Sequence, residues 1–297
     1  MTTAIALASK ANSQDLFPST VDIRRANCLG IRGLASLPDN SVDVFVSDLP
    51  YGKLKKAVDW DTCLDLEEMW KELYRVGTPE CVFVFTAQNP FTAELVLSNK
   101  RDYRHTVVWE KSSGTSPLNA RKAPMNVHED ILVFCRQRPR YNPQMVEGKP
   151  YKAPRGTRTG GQAGGMVGMP LTGKDNAGTR FPRSVQYVPW ERGWHPTQKP
   201  VALMAWLIRT YSNIGHTVCD LTMGSGTTGV AAVREQRNFV GWELGQEYFA
   251  IAKKRIKAAQ AGKPEPLTPS QKRRAQAAAA KKQTMSNGRG FGRRGGR

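Results

Sequence analysis

Short apolar runs alternate with stretches of helical period over most of the chain. Val42-Asp43-Val44-Phe45-Val46 reads as a buried strand running into the turn Asp48-Leu49-Pro50-Tyr51-Gly52. Residues 64–77 have helical periodicity, with Leu66, Met69, Trp70 and Leu73 on one face. Cys81-Val82-Phe83-Val84-Phe85 is a second buried strand, and a helix follows from near Pro90. Thr106-Val107-Val108-Trp109 and Ile131-Leu132-Val133-Phe134 are two further β-rich runs. Regular order returns after residue 194: a helix at 199–212, a strand at 216–220, a helix from about Thr227, a strand at 239–242 and a helix at 246–260. Strands alternating with helices predict an α/β fold, a doubly wound and mostly parallel sheet of Rossmann-like type.

Two segments break the pattern. Between about Arg140 and Trp194 periodicity is lost. Residues 148–178 there hold nine glycines, interleaved with Lys149, Lys152, Arg155, Arg158 and Lys174. Beyond Gly262 the chain is rich in Lys, Arg, Ala and Gly and is too poor in apolar residues to form a core, so a disordered tail is expected over 263–297. The expected organisation is a catalytic domain over 1–262, with 140–194 as a segment inside it, followed by that tail.

Charge adds a partner. The formal net charge is +19, from 44 Lys and Arg against 25 Asp and Glu. The tail carries ten cations and one acid, Glu265, so about +10 remains on residues 1–262. A basic body with a basic tail points to nucleic acid, because clustered cations release counterions from phosphate. The five cysteines, Cys28, Cys63, Cys81, Cys135 and Cys219, are scattered without a C-x-x-C pair, which signals neither a disulfide framework nor a zinc site. They read as buried or half-buried thiols, and no metal is expected. No apolar run reaches membrane-spanning length and Met1 to Pro18 lacks a leader pattern, so a cytoplasmic protein without membrane contact is expected.

Candidate chemistry sits at two strand ends. Asp220-Leu221-Thr222-Met223-Gly224-Ser225-Gly226-Thr227-Thr228-Gly229 follows a strand and opens a helix, and Glu243 ends the next strand. The glycines satisfy G-x-G-x-x-G, so a dinucleotide is one reading and a ligand-free tight turn another. A pyrophosphate needs bare helix amides and no anion nearby. Asp220 would repel it and would suit the ammonium or sulfonium of S-adenosylmethionine. The other strand end is Asp48-Leu49-Pro50-Tyr51. A base amino group is a poor nucleophile because its lone pair is delocalised into the ring. Acceptors on its two N–H groups, the Asp48 carboxylate and the Leu49 carbonyl, bias the nitrogen towards tetrahedral geometry. Pro50 stiffens the turn, and Tyr51 offers a ring face to a flipped base. On its own, an Asp-x-Pro-Tyr tetrapeptide is a weak signal and more often an ordinary loop.

A third signal joins these two: His195-Pro196-Thr197-Gln198-Lys199-Pro200 opens the helix before the glycine strand. Catalytic turn, Gly-rich basic segment, His-Pro-Thr-Gln-Lys-Pro, glycine loop and Glu243 follow one another in that order. The series resembles the β class of amino methyltransferases that act on adenine N6 or cytosine N4 of DNA, over roughly residues 20–260. Trp109-Glu110-Lys111 and His128-Glu129-Asp130 look like intermediate motifs of that family.

The resemblance implies S-adenosylmethionine as cofactor and double-stranded DNA, with one base flipped out, as partner. It implies catalytic roles for Asp48, Leu49, Pro50 and Tyr51. It implies cofactor binding by Asp220, Gly224, Ser225, Gly226, Thr227 and Glu243, with His195, Pro196, Thr197, Gln198, Lys199 and Pro200 closing over the methionine end. The family usually has Pro where this chain has Leu49; a backbone carbonyl is the acceptor there, so the chemistry is preserved. Asp at the head of the motif leans towards adenine N6. The Gly-rich segment is then read as a target-recognition loop and the tail as a DNA tether, while His128, Trp109 and Phe134 read as structural. The rival functions are an RNA or protein-amide methyltransferase and a catalytically decayed DNA-binding protein.

Overall fold

A computed structural model describes residues 18–52, 63–115, 117–152, 155–157, 170–172, 175–269 and 271–273. In chain order the strands are β1 (Val21–Arg25), β2 (Val42–Asp48), β3 (Gly77–Ala87), β4 (Tyr103–Thr115), β5 (Asn126–Cys135), β6 (Val146–Glu147), β7 (Arg155–Thr157), β8 (Pro170–Thr172), β9 (Thr179–Arg180), β10 (Val185–Tyr187), β11 (Thr217–Asp220) and β12 (Asn238–Glu243). The helices are α1 (Leu66–Val76), α2 (Phe91–Ser98), α3 (Val201–Tyr211), α4 (Thr227–Arg234) and α5 (Gln246–Gln260).

Eight strands form one sheet in the order β1-β12-β11-β2-β3-β5-β4-β10. Pairing is parallel from β1 through β3 and between β4 and β10, and antiparallel where β5 lies between β3 and β4. The central strands are buried on both faces, which is why they read as continuous apolar runs and not as alternating ones. Val44 and Val46 of β2, Val82 and Val84 of β3, and Ile131 and Val133 of β5 pack with α3, α4 and α5. The intervening Phe45, Phe83, Phe85, Leu132 and Phe134 pack with α1 and α2. That second face is aromatic: the rings of Phe45 and Phe83 stack 5.5 Å apart, and Trp70 of α1 lies 5.1 Å from Phe134.

The expected doubly wound fold is present, with three differences. First, two strands of the eight-stranded sheet went unpredicted, β1 at one edge and β10 at the other, as did the short strands β6 to β9. Residues 185–187 therefore belong to the sheet, and Trp109 Nε1 donates to the carbonyl of the next residue, Val188, at 2.9 Å. Elsewhere in the segment 140–194, β6 pairs with β9 and β7 with β8; residues 153–154, 158–169 and 173–174 lie outside the described residues.

Second, contacts with the helices continue past Gly262. Glu265 pairs with Arg255 of α5 at 2.9 Å and Arg234 of α4 at 3.5 Å, and Thr268 is buried, because the two helices present a cation each to this single carboxylate. The remainder of the expected tail, 274–297, lies outside the described residues, as do residues 1–17. Third, four cysteines are buried but Cys63 is exposed. No helix among the described residues is long and apolar enough to cross a membrane, and no described cluster of His, Cys, Asp and Glu could hold a metal.

Candidate functional site

The chain crosses from β2 to β3 in one direction along the sheet and from β11 to β12 in the other. The crevice at the carboxyl ends of β2 and β11 is thus the topological switch point, where open α/β sheets bind ligands. Asp48 ends β2, Asp220 ends β11 and Glu243 ends β12. The ends are tied together: Leu221 N donates to Ser47 Oγ at 2.9 Å, and Thr222 Oγ1 donates to the Asp48 carbonyl at 2.9 Å. Above them opens a cavity of about 770 Å³, within the range of small-molecule sites.

Of the residues expected at the site, Asp48, Leu49, Pro50, Tyr51, His195, Pro196, Thr197, Gln198, Lys199, Asp220, Gly224, Ser225, Thr227 and Glu243 all line this cavity. Gly226 and Pro200 do not. Gly226 caps α4 at φ +80°, and a Cβ there would come within 2.8 Å of Ala252 Cβ, so its glycine serves the approach of α5 to the loop. Pro200 is the residue that enters α3. By contrast, a Cβ on Gly224 (φ +52°) would meet only His195 Cδ2, at 3.9 Å, which leaves that side of the loop open.

The glycine-loop end is polar and anionic. Gly224 N donates to Glu243 Oε2 at 3.0 Å, and Gly245 N donates to Oε1 at 2.7 Å. The Gly224 amide that a pyrophosphate would need is therefore already committed to a carboxylate, which disfavours the dinucleotide reading. Burial pushes the Asp220 carboxyl up to about 7, against hydrogen bonds from Thr228, Thr222 and Ser47 that favour its charged form. Burial also lowers His195 to about 4, so its ring is neutral near pH 7, and it packs edge-on against Tyr248 with centroids 4.2 Å apart. Two acids and a neutral imidazole suit a cationic ligand.

Beneath the loop lies Arg255, which no motif had marked. Its guanidinium is wholly buried and donates to the Ser225 carbonyl at 2.7 Å, Ser225 Oγ at 3.0 Å and Thr227 Oγ1 at 3.2 Å.

The catalytic-turn end is a closed set of charges. Asp48 Oδ1 lies 2.5 Å from Thr86 Oγ1 and 2.8 Å from the Tyr51 hydroxyl; Asp48 Oδ2 accepts from Lys199 Nζ at 2.5 Å. Glu129 of β5 accepts from Lys111 at 2.5 Å and from Gln88 at 3.0 Å, and lies 3.3 Å from Lys199 Nζ. Burial alone would lower the Lys199 ammonium, but Asp48 and Glu129 outweigh it and raise its pKa above the usual lysine range. Burial would likewise raise Glu129, yet Lys199 and Lys111 hold it below the usual carboxylate range. Burial, then Asp48 and Glu129, push the Tyr51 phenol well up, so it stays a donor. One face of Tyr51 stacks on Phe91 at 5.5 Å, and the ring also borders the cavity.

Leu49 is buried among Cys28, Trp242 and other apolar side chains, an anchor for the turn in place of a proline's fixed φ. Thr86, Gln88, Lys111 and Glu129 were not among the expected site residues; only the resemblance of the segments around Lys111 and Glu129 to family motifs hinted at two of them. His128 is exposed on β5, away from this cluster.

Comparison with known proteins places the chain in a family. Residues 42–254 match the family model for N6/N4 methyltransferases, described as DNA methylase. A DNA adenine methyltransferase of Escherichia coli K12, YhdJ, is 30% identical over 262 residues, covering 81% of this chain and 85% of the relative. Among solved structures, the M1.HpyAVI–SAM complex aligns with a TM-score of 0.53 at 19% identity, covering 80% of this chain and 98% of that one. The cytosine-N4-specific PvuII DNA methyltransferase aligns with a TM-score of 0.55 at 15% identity, covering 84% of this chain and 95% of that one. At those identities the two structures speak for the fold, while the family match spans more than half of the sequence. This chain belongs to the DNA methylase family of N6/N4 amino methyltransferases.

Proposed function

We propose that the protein transfers the methyl group of S-adenosylmethionine to an exocyclic amino nitrogen of a base flipped out of double-stranded DNA, with adenine N6 as the target. What carries this reading is that the Asp48–Tyr51 turn and the Asp220–Gly224–Glu243 loop open on one cavity from neighbouring strand ends. The relative at 30% identity is named as a DNA adenine methyltransferase, which favours adenine over cytosine.

The residues present fit the cofactor. Glu243 keeps unused lone pairs beyond its two backbone partners, available to a ribose hydroxyl pair. Asp220 and neutral His195 favour a cationic methionine end. Bound there, S-adenosylmethionine supplies an electrophilic methyl carbon. Asp48 and the Leu49 carbonyl accept the two amino N–H groups, which frees the nitrogen lone pair for in-line attack. The proton that the nitrogen must lose on methylation would leave along its hydrogen bond to the Asp48 carboxylate and pass on to solvent. Catalysis on this account is orientation and hydrogen bonding, with no covalent enzyme intermediate.

We assign target recognition to residues 140–194. Gly148 N donates to the Gly178 carbonyl at 2.8 Å, which joins the two ends of the Gly-rich stretch, and residues 148–178 carry the glycines and cations seen in the sequence. The experiment is transfer of labelled methyl to unmethylated plasmid DNA, RNA and protein in parallel, followed by nucleoside analysis. N6-methyladenine in the DNA is the expected product. N4-methylcytosine would change the base, and label in RNA or protein alone would overturn the reading.

A further inference from the structure

The segment His195–Pro200 divides between the two ends of the cavity. His195 faces the glycine loop, with Gly224 nearby and Tyr248 against its ring. Four residues on, Lys199 reaches away from that end: its ammonium touches Asp48 Oδ2 at 2.5 Å and Glu129 Oε2 at 3.3 Å. Lys199 is 151 residues from Asp48 in sequence, and its side chain is only 6% exposed. A free lysine would not be buried there without two carboxylates to hold it.

An ionised carboxylate offers about four acceptor positions, two on each oxygen. On Asp48, Oδ1 is taken by the hydroxyls of Thr86 and Tyr51, and one position on Oδ2 is taken by Lys199. One position remains, on Oδ2. Glu129 is itself fixed by Lys111 and Gln88, so it pins Lys199 from the far side. The chain Lys111–Glu129–Lys199–Asp48 balances two cations against two anions and leaves the carboxylate a single open acceptor.

Resting on the methyl-transfer reading above, we propose that Lys199 is a positioning residue for Asp48, locked by Glu129, which restricts the carboxylate to one acceptor on Oδ2 for the substrate amino group; it is not a contact to the cofactor. Lys199 then governs the rate of methyl transfer and leaves cofactor affinity alone.

The test is Lys199→Met in the full-length protein, with methyl transfer to plasmid DNA and S-adenosylmethionine binding measured separately. The expected result is a kcat lower by roughly 10- to 100-fold, the scale of a mispositioned catalytic group, with cofactor Kd within about twofold of wild type. Because this variant strands two buried carboxylates, the double variant Lys199→Met/Glu129→Gln removes one charge of each sign. With the net charge of the cluster unchanged, it should still fold, bind cofactor normally and lose kcat.

A rise in cofactor Kd or KM with kcat unchanged, in either variant, overturns the proposal and returns Lys199 to the cofactor. Wild-type kcat in the folded double variant overturns it as well. Wild-type methyl transfer that vanishes in Asp48→Ala is the control for the underlying reading. If that control fails, the reading falls and the proposal with it; if it holds, the Lys199 variants alone decide.

Discussion

The backbone amide of Gly224 donates to the carboxylate of Glu243 at 3.0 Å, joining the glycine loop after β11 to the end of β12 across 19 residues. The loop is thereby shaped by an acid of the neighbouring strand. A carboxylate that holds the loop and also faces the cavity links loop geometry to ligand affinity.

Glu243→Ala is expected to weaken S-adenosylmethionine binding by about 1–3 kcal/mol, the range for leaving a hydrogen-bonding partner unsatisfied. Titration calorimetry measures it. NAD should leave the melting temperature of the wild type unchanged; a shift with NAD and none with S-adenosylmethionine would restore the dinucleotide reading.

Asp220 makes stability and affinity depend on pH in opposite directions. Its carboxyl is raised to about 7 in the folded chain, against about 4 when unfolded. The folded state therefore binds the extra proton between those values, and stability of the free protein falls as pH rises through that window. Each unit between the two values is worth about 1.4 kcal/mol. A cationic ligand favours the charged carboxylate, so cofactor affinity should rise with pH up to about 7 and then level off. His195, near 4, is neutral throughout the upper part of the window. Asp220→Asn should flatten both profiles; urea unfolding and cofactor binding from pH 5 to 8 measure them.

Two truncations should separate tail from body. Residues 274–297 hold seven Lys or Arg and no acid. Their removal should weaken DNA binding in a salt-dependent way, with the methylated sequence unchanged. The log–log salt slope should fall by roughly 0.9 for each phosphate that the shortened chain no longer neutralises. Cutting at 263 also takes Glu265 from the buried Arg255 under the glycine loop. That should cost about 1–3 kcal/mol in addition and weaken cofactor binding. Equal stability of the two truncated proteins would remove Glu265 from this role.

The parts legible in sequence are those where one residue's environment shapes its neighbours. Strands β2, β3, β5, β11 and β12 stood out because burial on both faces demands unbroken apolar runs, and α5 was found with its bounds at 246 and 260. β1 escaped because Val-Asp-Ile-Arg-Arg at a sheet edge carries three charges, and β10 because three residues are too few to show a period. The antiparallel insertion of β5 had no signature either, since strand direction is a property of the pairing. Asp48, Asp220 and Glu243 were legible because each ends a strand beside a recognisable turn. The Asp48–Lys199 pair was not, since 151 residues separate its members. Arg255 reads in sequence as one more cation on a Lys/Arg-rich helix, and only its burial under Ser225 reveals it.

The central claim is that Asp48 acts on the reacting nitrogen, and Asp48→Ala tests it most directly. Its carboxylate contacts Thr86, Tyr51 and Lys199 and lines the cavity, while the glycine loop, Glu243 and His195 lie at the other end. Single-turnover transfer of labelled methyl to DNA should be abolished, with S-adenosylmethionine affinity nearly that of the wild type. Retention of more than a few per cent of the wild-type rate, or a loss confined to cofactor binding, would contradict the account.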